Sequence, residues 1–219
     1  MTVRANGPGT MVQHALSELR RAIVAGEYGP GQRVLQEEVA ERLGVSVAPV
    51  REALRALEQE GQVVYHPRRG YFITELKVED LQEIYALRRI LEERAVRGTL
   101  PTLDADAIDR IAEAARDCAQ AAQRGDVAAE LEANRRFHFG MLDGPGQQHN
   151  MRLIRLLWDS TEGYRAIYYN SPEERTHTID AHDGILDAVR RREIDEVVAG
   201  LDEHRGRALR ILTKLLSRT

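Results

Sequence analysis

A mostly α-helical chain in two parts is what the sequence predicts: an amino-terminal winged helix-turn-helix followed by an all-α bundle of six helices. Three observations carry that reading. Apolar residues recur every three to four positions along most of the chain. The strand-like runs lie between Val63 and Ile73, around one tight turn. From Val78 onward the strand signals vanish, and amphipathic stretches separated by Gly, Pro and Asp take over.

Residues 1–9, with Gly7, Pro8 and Gly9, read as a disordered arm. Val12, Leu16, Leu19 and Ile23 fall at helical spacing and the run stops at Gly26, which predicts a first helix. The turn Tyr28-Gly29-Pro30-Gly31 leads to a short helix from Glu37 to Leu43, closed by Gly44. Ser46 stands as an N-cap with Pro49 in the first turn of a third helix, where a missing amide hydrogen costs little. Its apolar stripe is Val50, Ala53, Leu54 and Leu57, and Gly61 ends it. Val63–Tyr65 and Tyr71–Ile73 then form two strands around His66-Pro67-Arg68-Arg69-Gly70. These elements fill a first domain over 10–75. A second domain over 76–219 holds helices near 78–98, 104–123, 126–142, 147–170, 172–190 and 193–216, with Thr74–Lys77 as the linker.

The chain has 219 residues, 42% hydrophobic and 30% charged, which suits folded domains with cores of their own and excludes global disorder. Basic residues number 31 against 35 acidic, a net charge of -4, so a uniformly basic nucleic-acid coat is excluded. A local basic face is not. Between Arg42 and Ile73 five arginines meet three glutamates, while the whole deficit lies beyond residue 75. Cys118 is the sole cysteine, which rules out an intrachain disulfide and a thiolate zinc cluster and assigns it to helix packing. Neither a secretory h-region nor an 18-residue apolar run occurs, so a cytoplasmic protein without membrane contact is expected.

The third helix turns Val47, Ala48, Arg51, Glu52 and Arg55 outward. In a helix-turn-helix the amino end of the second helix enters the major groove, where arginine bonds guanine or phosphate. The candidate DNA-contacting residues are therefore Ser46, Val47, Ala48, Pro49, Arg51 and Arg55, with Arg68, Arg69 and Gly70 at the hairpin tip. The plainer alternative pairs Arg51 with a nearby glutamate and leaves the tip as a solvated turn. The run Gly44-Val45-Ser46-Val47-Ala48-Pro49-Val50-Arg51-Glu52-Ala53-Leu54, with Leu57-Glu58, Glu60-Gly61 and Arg68-Arg69-Gly70-Tyr71, resembles the winged helix of GntR-family transcriptional regulators. The resemblance implies double-stranded operator DNA as partner, Arg51 as a contact and Gly70 in the wing. This chain has Val47-Ala48 where the family often has Arg-Thr, and Glu37 where some members carry another operator-reading arginine.

In the second domain, Leu131, Asn134, His138 and Met141 or Leu142 share one helical face, His182 shares one with Leu186 and Val189, and His204 one with Val197, Leu201, Ala208 and Ile211. A turn near Arg192 brings His182 and His204 to similar heights across a helical hairpin. Buried imidazoles need partners, and three with one amide oxygen can share a divalent ion, with zinc ahead of nickel, manganese or iron. The alternative is that each histidine is hydrogen-bonded separately in the core. Ile84-Tyr85-Ala86-Leu87-Arg88-Arg89-Ile90-Leu91-Glu92, Asn134-Arg135-Arg136-Phe137-His138, Ala181-His182-Asp183-Gly184-Ile185-Leu186 and His204 resemble the FCD effector domain of the FadR-like GntR subfamily. That resemblance implies a metal on Asn134, His138, His182 and His204 beside a small organic acid effector, a homodimer, and Arg88 near the effector. Arg88 has a second reading as a surface pair with Glu92. Trp158, Tyr164, Tyr168 and Tyr169 either line a pocket or pack a core or dimer interface.

The function expected is a metabolite-responsive regulator, a repressor on a two-fold operator, rather than an enzyme. A metal-sensing regulator and a metal-dependent hydrolase are the alternatives; against the latter, neither Gly-x-Ser-x-Gly nor His-Glu-x-x-His occurs.

Overall fold

The computed structural model describes residues 8–217. Residues 1–7 of the expected arm lie outside them, and Pro8 and Gly9 already belong to the first helix. Two compact units form, one running through Leu76 with the short segment Asp159–Gly163, the other comprising Lys77–Trp158 and the chain from Tyr164 onward.

The first unit contains α1 (Pro8–Val24), β1 (Arg33–Val34), α2 (Gln36–Leu43), α3 (Val47–Gln59), β2 (Val63–His66) and β3 (Gly70–Ile73). Leu19, Val39, Val50, Leu54, Leu57 and Val63 close its core. Gly44 ends α2 at φ 64, a left-handed turn that L side chains resist, and its amide bonds back to the helix. That turn sets α2 against α3. Ser46 holds the N-cap position of α3, but its side chain makes no capping bond, contrary to expectation. The sheet has three antiparallel strands in the order β1-β3-β2, not two. β1 is only two residues long, too short for any periodicity to announce, and it adds Val34 to the core.

The second unit contains α4 (Val78–Thr99), a 3₁₀ turn (Leu100–Thr102), α5 (Ala105–Arg124), α6 (Val127–Leu142), α7 (Gln148–Asp159), most of α8 (Glu162–Tyr169), α9 (Pro172–Arg191) and α10 (Ile194–Leu216). Aspartates start three of these helices: Asp80 accepts from the Lys77 amide, Asp104 from Ala107 and Asp126 from Ala129. The single helix expected over 147–170 is two, so seven helices rather than six follow the winged helix among the described residues. Across the break Arg165 donates to the Trp158 carbonyl at 2.9 Å.

Phe137, Met141, Ile154, Trp158, Val189 and Val197 lie in the core of this unit. α9 and α10 form an antiparallel pair about Arg192, which adopts φ 59. Gly200 allows their close approach: a Cβ there falls 2.8 Å from Ile185 Cγ1. Cys118 is buried, with Sγ 3.9 Å from the Glu130 carbonyl, and burial pushes its thiol up to about 12, as suits inert packing.

Glu130 is fully buried near the start of α6, with neither carboxylate oxygen hydrogen-bonded and Arg175 of α9 at 3.4 Å. Burial raises its pKa to about 7 against the opposing charge of Arg175. A carboxyl raised in the folded state adds stability below its unfolded pKa and loses it as pH rises through the folded one. Glu130→Gln should therefore stabilise the protein by up to about 3 kcal/mol at pH 8 and hardly at pH 5. Urea unfolding at both pH values checks this; an equal effect at both contradicts the assignment.

Candidate metal centre and nucleic-acid interface

One turn of α6 separates Asn134 from His138, and both are buried. His182 comes from α9 and His204 from α10. The structure brings the three imidazoles together, with ring centroids 5.4 Å apart for His138–His182 and His138–His204 and 5.2 Å for His182–His204. One nitrogen from each falls within 4.8 Å of the others. His182 stacks on Phe137 at 4.0 Å, which fixes its ring plane.

Four polar atoms of this cluster are buried without partners among the described residues. Asn134 Oδ1, His138 Nδ1 and both nitrogens of His182 are buried and make no hydrogen bond. Leaving such groups desolvated costs about 1–3 kcal/mol each, and a bound group that accepts their lone pairs removes that cost. Burial is the largest cause lowering the pKa of all three histidines, with neighbouring charge adding to it; His138 and His182 lie well below their usual range and His204 at about 4. The imidazoles are thus neutral at pH 7, the form that ligates a metal. Three nitrogens and an amide oxygen fit a divalent ion of the zinc, nickel, iron or manganese group, with coordination positions left for another ligand.

Above the cluster lies a charged wall. Arg88 is paired with Glu92, Nε to Oε1 at 2.8 Å, as one sequence reading held, but the pair is buried rather than on the surface. Glu92 also accepts from Trp158 Nε1 at 2.7 Å and pairs with Arg205 of α10. Burial alone raises the Glu92 carboxyl, yet Arg88 and Arg205 outweigh it and hold the pKa below the usual range. The guanidiniums of Arg88 and Arg165 cover the Trp158 ring at 4.2 and 4.4 Å. Arg88, Arg165, Arg205 and Glu92 all line one cavity of about 30 Å³ with Asn134, His138 and His204. Three arginines and one glutamate stand in its wall, and Arg205 pairs with Asp202 at 2.5 Å as well. Trp158, Tyr168 and Tyr169 are part of the lining, and Tyr164 is buried.

Sequence reasoning did not single out Arg165 or Arg205, and noticed Glu92 only as a partner for Arg88. The signal was present: Arg88 and Glu92 fall on the Leu81-Tyr85-Ala95 face of α4, and Arg205 on the Leu201-Leu212 face of α10.

On α3, Ser46, Ala48, Arg51 and Arg55 are exposed, Val47 is half-buried, and Pro49 is buried, so Pro49 does not present its side chain. Arg51 donates to Gln36 Oε1 at 3.2 Å, not to a glutamate, and Arg55 pairs with Glu52 at 2.8 Å. Both are weak surface contacts that DNA can replace. The hairpin tip exposes Arg68, at φ 64, and Arg69, which lies over the Phe72 ring at 5.2 Å, while Gly70 turns the strand at φ 92. A recognition helix and an arginine-tipped wing define a DNA-binding protein of the winged-helix class.

Residues 11–73 match the bacterial regulatory proteins of the gntR family, and residues 83–207 match the FCD domain. The chain belongs to the GntR-type, DNA-binding transcriptional regulators that carry an FCD domain. It is 27% identical over 177 residues to YdhC, an uncharacterized HTH-type transcriptional regulator of Bacillus subtilis, covering 80% of this chain and 79% of that one. With the Nta operon transcriptional regulator of Aminobacter aminovorans it shares 28% identity over 196 residues, 86% of this chain and 90% of the relative. Among solved structures McbR/YncC of E. coli has the same fold, with TM-score 0.81 at 24% identity over 94% of this chain and 98% of that one. Among the described residues, no helix is long and apolar enough to cross a membrane.

Glu92→Gln removes the carboxylate between two buried guanidiniums and should cost about 3 kcal/mol or more in urea unfolding, the range for a broken buried pair. An unchanged midpoint contradicts its role as the hub of the wall.

Proposed function

We propose that the chain is a metabolite-responsive repressor that binds a two-fold operator as a homodimer and answers to a small organic acid held at a metal-assisted site. Residues 10–75 serve DNA, and residues 76–219 serve metal, effector and the second copy. The observation that carries this reading is the set of buried, unpartnered polar atoms on Asn134, His138 and His182 beside a wall lined by Arg88, Arg165 and Arg205. Asn134, His138, His182 and His204 would hold the ion, and a bound divalent metal supplies positive charge and a coordination position for a carboxylate.

Arg88 is the residue placed to orient such an anion. It is spent on Glu92 in this structure, and an incoming carboxylate competes with Glu92 for it. A cavity of about 30 Å³ is smaller than an organic acid, so binding has to displace its walls. A ligand that favours the displaced arrangement shifts operator affinity by linkage, with no bond made or broken. On α3, Arg51 and Arg55 reach base edges or phosphates, while Arg68 and Arg69 add phosphate contacts at the wing. The same small cavity favours one other reading, in which the ion itself is the signal. Titrating operator binding with metal alone and then with organic acids separates the two.

Elemental analysis of the purified protein should find about one divalent metal per chain, lost in the His138→Ala/His204→Ala variant; wild type that stays metal-free after supplementation contradicts the site. On an operator selected from random DNA by the wild-type protein, Arg51→Ala should lose at least about 1 kcal/mol of binding at fixed salt. Unchanged affinity rejects Arg51 as a contact.

A further inference from the structure

The histidine cluster borders two spaces, and they differ in size and lining. The first is the arginine-lined cavity of about 30 Å³. The second is a groove of about 470 Å³ between α9 and α10, and His204 stands in the lining of both. His138 and His182 are buried, whereas His204 is partly exposed. Of the three imidazoles, it alone lines the groove among the described residues.

The residues that keep the groove open are small. Ala181 and Gly184 of α9 face Gly200 of α10 across it, and a Cβ placed on Gly184 meets nothing within 4 Å. Ala181 is the neighbour in sequence of His182, so the open space begins beside a second imidazole. The charges along the groove favour cations. Asp180 and Glu203 make no ion pair among the described residues, while Arg207 is held by Glu174 at 2.7 and 2.9 Å, which leaves Arg210 as the one open guanidinium in the lining.

An ion bound to buried nitrogens has to cross from water to the centre, and a close-packed core of apolar side chains admits no such passage. Space that water fills does. The small cavity is walled by Arg88, Trp158, Arg165 and Arg205, whereas the groove brings solvent to the edge of the cluster at His204.

We infer that the groove between α9 and α10 is the passage by which a divalent ion enters and leaves the centre, with His204 as its outermost ligand. An arriving ion meets His204 first and His138 and His182 after it; a departing ion leaves in the reverse order. The inference rests on the metal-centre reading above and gives it a direction: the ion uses the groove, and the arginine-lined cavity is left to the acid.

Zinc exchange in the full-length protein tests it. Uptake is followed by rapid mixing of chelator-stripped protein with zinc, and release by transfer of zinc to an excess of chromophoric chelator. Gly184→Phe and Ala181→Leu put bulk into the groove, and Gly184→Ala controls for the change of helix propensity alone. Gly184 is exposed and a Cβ there has room, and circular dichroism with thermal unfolding verifies that each variant folds. Both rates should fall by at least about tenfold in the two bulky variants, with the dissociation constant unchanged, because an obstacle on a path raises the barrier equally in both directions. Gly184→Ala should exchange zinc as wild type does. Wild-type rates in both bulky variants overturn the passage while the metal centre stands, and so does a loss of affinity with faster release, which marks disturbed ligands. A wild type that takes up no zinc overturns the metal centre itself.

Discussion

Imidazole nitrogens and an amide oxygen removed from water must find something to bond, and inside the helical bundle they find nothing in the protein. Asn134, His138 and His182 are buried, with Phe137 stacked on the His182 ring and Trp158 beside that of His138. Apolar residues at these positions would fill the same volume without the desolvation cost. The surrounding features depend on this arrangement. Gly200 lets α10 close on α9, so that His204 faces His182, and the Arg192 turn fixes their register.

Glu92 is the second buried constraint, and it acts on charge where the histidines act on lone pairs. Two arginines and an indole converge on one carboxylate, which lets guanidiniums stay in a low-dielectric wall. Asp202 takes the other arm of Arg205, so these guanidiniums are held by more than one carboxylate. A cluster of unpartnered polar atoms thus lies beside a wall lined with arginine.

Much of this was legible in the sequence, for reasons that differ by element. The helices of both units announce themselves because apolar spacing and terminal residues agree, as with Asp104 and Gly125 around α5. The histidines were legible because each falls on an apolar face. β1 was not, since two residues carry no period, and the α7–α8 break was not, since the apolar spacing gives no sign of it. Arg88 and Glu92 have the four-residue spacing of a surface pair, and only their register with Leu81 and Tyr85 tells that they are buried. Leu87 and Ile90, in turn, are apolar and yet exposed.

The central claim is that the polar cluster and the arginine wall form one ligand site. Thermal unfolding of the full-length protein in the presence of a panel of small organic acids, metal-loaded and chelator-stripped in parallel, tests it most directly. The account predicts that at least one acid raises the melting temperature of the metal-loaded protein, as binding to the folded state requires, and that stripping the metal abolishes the shift. An equal shift in the stripped protein, or the same shift in metal-treated His182→Ala, would contradict it.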